Sequence, residues 1–190
     1  MPVWQKFYES EMENGENVEL LSVAIDMQGS EVVNPYLQRA NTTFVTVVDT
    51  ENMFSREFGF KKIPNGYFIE RDLSVSYSKT WGFDIRSSEI RNKVESWVKT
   101  SNNPEVQIES PVVEETNFQA EPFMETGLRL YKEGNKEAAI LQFREALNVD
   151  PENLTIRKQI WAMMNPDKFY GYEIDFGWQK RQFSVEGVDN

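Results

Sequence analysis

Two short apolar runs constrain this chain more than any other feature. Residues 18–25 (VELLSVAI) and 44–48 (FVTVV) each close on an acid, Asp26 and Asp49. Dense runs of this kind read as strands buried inside a layer that helices cover. Between them, Val33, Tyr36, Leu37 and Ala40 mark the inner face of a helix. Upstream, Trp4, Phe7 and Tyr8 share one helical face, and Asn14-Gly15 supplies the stop. Downstream, Met53, Phe54 and Phe58 suggest a short helix ended by Gly59. Residues 66–70 and 73–78 then read as two strands about an Arg71-Asp72 turn. Ile90, Val94, Trp97 and Val98 complete the block as an amphipathic helix. Strands alternating with helices predict an α/β layer over residues 1–99, with a parallel pair and a closing hairpin.

Residues 100–119 read as an acidic linker. No Lys or Arg occurs between Thr100 and Leu128, whereas Glu105, Glu109, Glu114 and Glu115 accumulate with Pro104 and Pro111. A small all-α block follows over 120–164. There Phe123, Gly127, Gly134, Ala139, Phe143, Ala146 and Pro151 stand in the places that a tetratricopeptide repeat uses for close helix packing. The resemblance implies one helical hairpin turning at Gly134-Asn135, with residues 154–164 as a capping helix. The tail, 165–190, carries Phe169, Tyr170, Tyr172, Phe176, Trp178 and Phe183, which predicts docking rather than solvation.

Composition removes several chemistries. Among 190 residues there is no cysteine and no histidine. Thiol nucleophiles, Ser-His-Asp triads, Cys/His zinc sites and His-ligated haem are thereby excluded. No cofactor and no metal site is expected. A net charge of −11 and the lack of a basic stripe disfavour nucleic acid as a partner. No stretch reaches the roughly 18 apolar residues of a membrane span, and no signal-peptide pattern opens the chain. The compartment is left open, since a cysteine-free chain suits a reducing one without requiring it.

The first block resembles the thioredoxin-like superfamily, specifically the TlpA/ResA-type thiol–disulfide oxidoreductases. Met1-Pro2-Val3-Trp4 looks like the segment that follows the reactive Cys-x-x-Cys in that family. The match continues through Asp26, Asp49 and Phe58-Gly59-Phe60, and Ile63-Pro64-Asn65-Gly66-Tyr67-Phe68-Ile69-Glu70 is similar to the family's stretch around its cis-proline. Trp81-Gly82 stands where a glycine often follows the last strand. This resemblance implies a thioredoxin-like fold lacking its first strand and both cysteines, which would lie upstream of Met1. An N-terminally truncated redox protein, redox-inactive as it stands, is one expectation. A protein that has discarded catalysis is the rival. By the same resemblance Ile63, Pro64 and Asn65 shape a substrate groove. The missing strand would lie between 18–25 and 66–70, so these two either pair directly or leave edges that another segment or chain fills. Self-association through such edges is expected.

No catalytic residue can be named. The alternative function is non-catalytic binding of a protein or peptide, with Phe123, Tyr131, Phe143, Trp161 and Trp178 as the candidate partner-binding side chains.

Overall fold

The computed structural model describes residues 1–12, 18–100 and 119–188. The chain divides into two compact units, Met1–Glu115 and Thr116–Asn190. Most of the expected linker, and the Asn14-Gly15 stop, lie outside the described residues.

The first unit is mixed α/β. Its elements are α1 (Pro2–Glu11), β1 (Leu21–Ile25), α2 (Ser30–Arg39), β2 (Val45–Asp49), α3 (Met53–Phe58), β3 (Gly66–Ile69), β4 (Val75–Lys79) and α4 (Ser88–Thr100). Of the run 18–25 only Leu21–Ile25 is strand, the second run forms a strand over Val45–Asp49, and β1 lies parallel to β2, with Leu21 opposite Val45 and Ile25 opposite Asp49. The acids that end them act locally. The Asp49 carboxylate accepts the N–H groups of Glu51, Met53 and Phe54 at 3.2, 2.9 and 2.8 Å, so the end of β2 starts α3. The helix stops at Gly59, whose φ of 70° suits a residue without a Cβ. Asp26 likewise accepts the N–H of Gln28 at 3.0 Å.

Three expectations are corrected. The second hairpin strand starts at Val75 rather than at position 73, because a local turn captures the chain first. Asp72 accepts both the N–H and the hydroxyl of Ser74, and Leu73 sits at φ 70° with 82 % of its surface exposed. The four strands also do not form one layer. Among the described residues β1 and β2 make one two-stranded sheet, and β3 and β4 make another, antiparallel one. Direct pairing of β1 with β3 does not occur among the described residues, and contrary to the expectation of buried strands no residue of β1, and in β2 only Asp49, is buried.

The core that joins these elements lies under α1 and α4. Phe7, Met12, Val18, Phe68, Phe83, Ile85, Ile90 and Val94 form one buried cluster, with Trp4, Tyr8, Leu20, Tyr77 and Trp97 packed against it. Trp97 stacks on Phe68 at 4.9 Å and donates its indole N–H to Glu70 at 2.8 Å, giving a half-buried aromatic a polar partner. On its other flank α1 reaches the entry to β2. Gln5 donates to the Thr43 hydroxyl and accepts the Thr43 N–H, each at 2.9 Å, and Tyr8 meets Phe44 edge-on.

The second unit is helical: α5 (Glu121–Lys132), α6 (Lys136–Val149), α7 (Leu154–Met164), α8 (Pro166–Phe169) and α9 (Phe176–Glu186). Asn135, Asn153 and Asp175 cap α6, α7 and α9 by accepting a backbone N–H three residues on. The α5–α6 hairpin closes tightly because Gly127 faces Phe143; a Cβ at 127 would fall 2.4 Å from the ring. Ala139, Phe143 and Ala146 are fully buried there. Part of the aromatic tail docks within this unit, while Tyr172 and Phe176 stay 84 % and 69 % exposed. Trp161 of α7 contacts Trp178 and Phe183 edge-on at 5.9 and 5.0 Å, while Phe169 meets Trp178 at 6.1 Å.

Candidate functional site

The start of α1 and the loop before β3 converge on Phe83. The Phe83 N–H donates to the Pro64 carbonyl at 3.1 Å, and its ring stacks on Trp4 at 5.6 Å. Immediately beyond, Asp84 accepts a bidentate approach from Arg86, which holds the Asp84 carboxyl below its ordinary range. The Met1 amino group lies near this pair. Partial burial first, then the Arg86 charge, lowers its affinity for a proton, and Asp84 opposes them.

The Ile63–Pro64 peptide bond is cis. Ile63 remains 46 % exposed, and Trp81 beside the loop remains 48 % exposed. Asn65 has a different task. Its side-chain oxygen accepts the Trp81 N–H at 2.6 Å and its amide donates to the Lys62 carbonyl at 2.9 Å. These two bonds hold Trp81 at φ 56° and close the loop from both sides. Lys62 lies 5.0 Å from the Trp81 ring centre, in cation–π geometry. Of the three candidates, Ile63 presents its side chain outward, Pro64 supplies a carbonyl to Phe83, and the Asn65 side chain is engaged within the loop.

Gly66 is required by the ring that packs over it. A Cβ at 66 would lie 2.2 Å from Cδ1 of Phe83, so the ring lies directly over the backbone of β3. Gly66→Ala therefore forces Phe83 off the strand, and we expect a loss of about 1–3 kcal/mol, the usual cost of overpacking. The check is hydrogen exchange along β3 and β4, which should speed up in the variant. Sequence reading did not single out Phe83; the Asn65-Gly66 pair was its one local signal, because a glycine opening a strand marks close approach.

The helical candidates divide differently. Phe143 and Trp161 are buried in the second unit's own core, and Trp178 is half-buried in the tail cluster. None of these three presents a free ring to a partner. Phe123 and Tyr131 are half-buried on α5. Trp161 also donates its indole N–H to Glu186 at 2.7 Å, and the same carboxylate pairs with Arg157, whose side chain is 9 % exposed.

Among the described residues no group of three or more carboxylates is placed to hold a metal ion, and no helix is long and apolar enough to cross a membrane. Comparison with known proteins gives no match to any family model, curated protein or solved structure.

Proposed function

We propose that this chain is thioredoxin-like and, carrying no cysteine, redox-inactive as it stands, and that its first unit binds an extended polypeptide at the Ile63–Asn65 loop. The observation that carries the reading is the convergence of the α1 start, the Pro64 carbonyl and Trp4 on Phe83. The order of elements, with a parallel β1–β2 pair followed by a β3–β4 hairpin and α4, supports the same frame. In the resembled family this frame carries a thiolate at the helix start. Here no residue supplies one, because the chain has no cysteine. What is left are exposed apolar side chains, Val3 on α1 and Ile63 and Trp81 on the loops before β3 and after β4, with Lys62 beside Trp81. Such side chains suit the apolar side chains of an unfolded segment, whereas dithiol exchange is outside their chemistry.

The second unit, read as a single tetratricopeptide-like repeat with a docked cap, is then a companion module rather than the binding surface. Its best aromatic candidates are used inside its own core.

The test uses an alkylated, permanently unfolded protein as the probe. Ile63→Glu should weaken binding about tenfold, since it places an acid where an apolar side chain stood, while changing stability by less than about 0.5 kcal/mol as an exposed substitution. Unchanged affinity in a folded Ile63→Glu chain would remove the loop from the site.

A further inference from the structure

Among the described residues four other than glycine hold a positive φ: Asn41, Asn52, Leu73 and Trp81. Asparagine tolerates that region, and Leu73 is caught in the turn between Asp72 and Ser74. Trp81 is the outlier, a bulky residue at φ 56°, followed by Gly82 at 77°. Such a conformation is strained in a bulky residue and persists only where the surroundings impose it, and it gathers at ligand clamps. Here Asn65 imposes it from the other loop. Its side-chain oxygen accepts the Trp81 N–H at 2.6 Å, while its amide is anchored on the Lys62 carbonyl at 2.9 Å. Burial does not explain the strain. Trp81 stays 48 % exposed, and a Cβ on Gly82 would meet nothing within 4 Å, so the ground beside the ring is open.

The second observation is a charge. The Lys62 Nζ lies 5.0 Å from the Trp81 ring centre and has no ion-pair partner among the described residues. The chain holds 31 acidic against 20 basic residues, yet this lysine sits on an exposed ring instead of a carboxylate. We infer that Trp81 and Lys62 select what the Ile63–Asn65 loop takes: an extended segment with an acidic side chain two residues from an aromatic one. The inference rests on the loop reading above. A carboxylate on the Lys62 ammonium and a ring on the Trp81 indole call for two side chains pointing the same way. Positions i and i+2 of an extended segment meet that need, about 7 Å apart. The indole then supplies stacking and the ammonium a charge-assisted hydrogen bond. The net charge of −11 does not forbid an acidic segment. Charges beyond about 10 Å are screened at ordinary salt, whereas Lys62 acts at contact.

The experiment uses the full chain and two synthetic peptides, SAESFAS and SAKSFAS, which differ only in the charge two residues before the phenylalanine. Followed by backbone amide shifts, SAESFAS should bind about tenfold more tightly, with the largest changes at Lys62, Asn65 and Trp81. In Lys62→Glu the order should invert, so that SAKSFAS binds more tightly, a result that a misfolded chain cannot give. Trp81→Ala should weaken both peptides alike. Equal affinity for the two, no binding of either, or an order that Lys62→Glu leaves unchanged would overturn the inference. The alkylated unfolded protein then separates the two claims. If it still shifts the loop, the selection alone fails; if it does not, the loop reading fails with it.

Discussion

Phe143→Ala should unfold or loosen the helical unit, with an expected loss of about 3–5 kcal/mol. The size follows from the site. Phe143 is fully buried, and its ring fills the space that Gly127 leaves open on α5. Removing the ring leaves two small residues facing each other across a helix pair whose spacing the ring sets. Phe143→Leu keeps much of the volume and should lose less. Because the chain has two compact units, a single melting temperature would mix their responses. The measurement is therefore hydrogen exchange resolved by segment. Protection over 121–149 should collapse in Phe143→Ala. Full retention of protection there would mean that the hairpin does not depend on this packing.

Glu186→Ala should have an effect of similar size for a different reason. The Glu186 carboxylate accepts from the Arg157 guanidinium and from the Trp161 indole N–H, and so ties the end of α9 to α7. Truncation leaves the Arg157 side chain, only 9 % exposed, with the Pro151 carbonyl at 2.8 Å as its remaining described acceptor. Stranding a buried cation in this way costs about 3–5 kcal/mol, and the one-third exposure of Glu186 places the expectation at the lower end. The pairing is separable from packing. Arg157→Met combined with Glu186→Leu removes both charges and should restore much of the stability, whereas Arg157→Met alone should fall between. Exchange protection over 154–164 and 176–186 reads all three. Equal losses in Glu186→Ala and the double variant would mean that shape, not charge, fixes the tail.

Much of the architecture was legible because it rests on local signals. The runs ending at Asp26 and Asp49, the Gly59 stop and the Gly134-Asn135 turn each act within a few residues, and each appears where the sequence indicates it. Leu73 shows the limit of reading alternation alone. It was counted as strand, but the Asp72 and Ser74 side chains compete for the backbone and hold it in a turn. β1 and β2 are both less buried than their apolar runs indicate, for a larger reason. A dense apolar run signals that a strand wants neighbours on every side, and the sequence pattern does not reveal that one side lacks a laddered strand among the described residues. The site was half legible. Ile63, Pro64 and Asn65 were visible as a loop before a strand, while Phe83, Trp4 and the internal role of Asn65 depend on contacts 16 to 79 residues apart in the chain. Among the aromatics, composition indicated docking for the tail but not which rings would be consumed by it. Trp161 and Trp178 are candidates of equal standing in sequence, and both lie in one cluster.

The central claim is that binding belongs to the first unit, at the loop beside α1. Its most direct test is a backbone amide shift map of the full chain titrated with the alkylated unfolded protein. The account predicts that the largest changes fall at Val3, at Ile63 and Asn65, and at Trp81 and Phe83, with residues 119–188 unaffected. Changes concentrated on α5 to α9, with the Ile63–Asn65 loop silent, would contradict it.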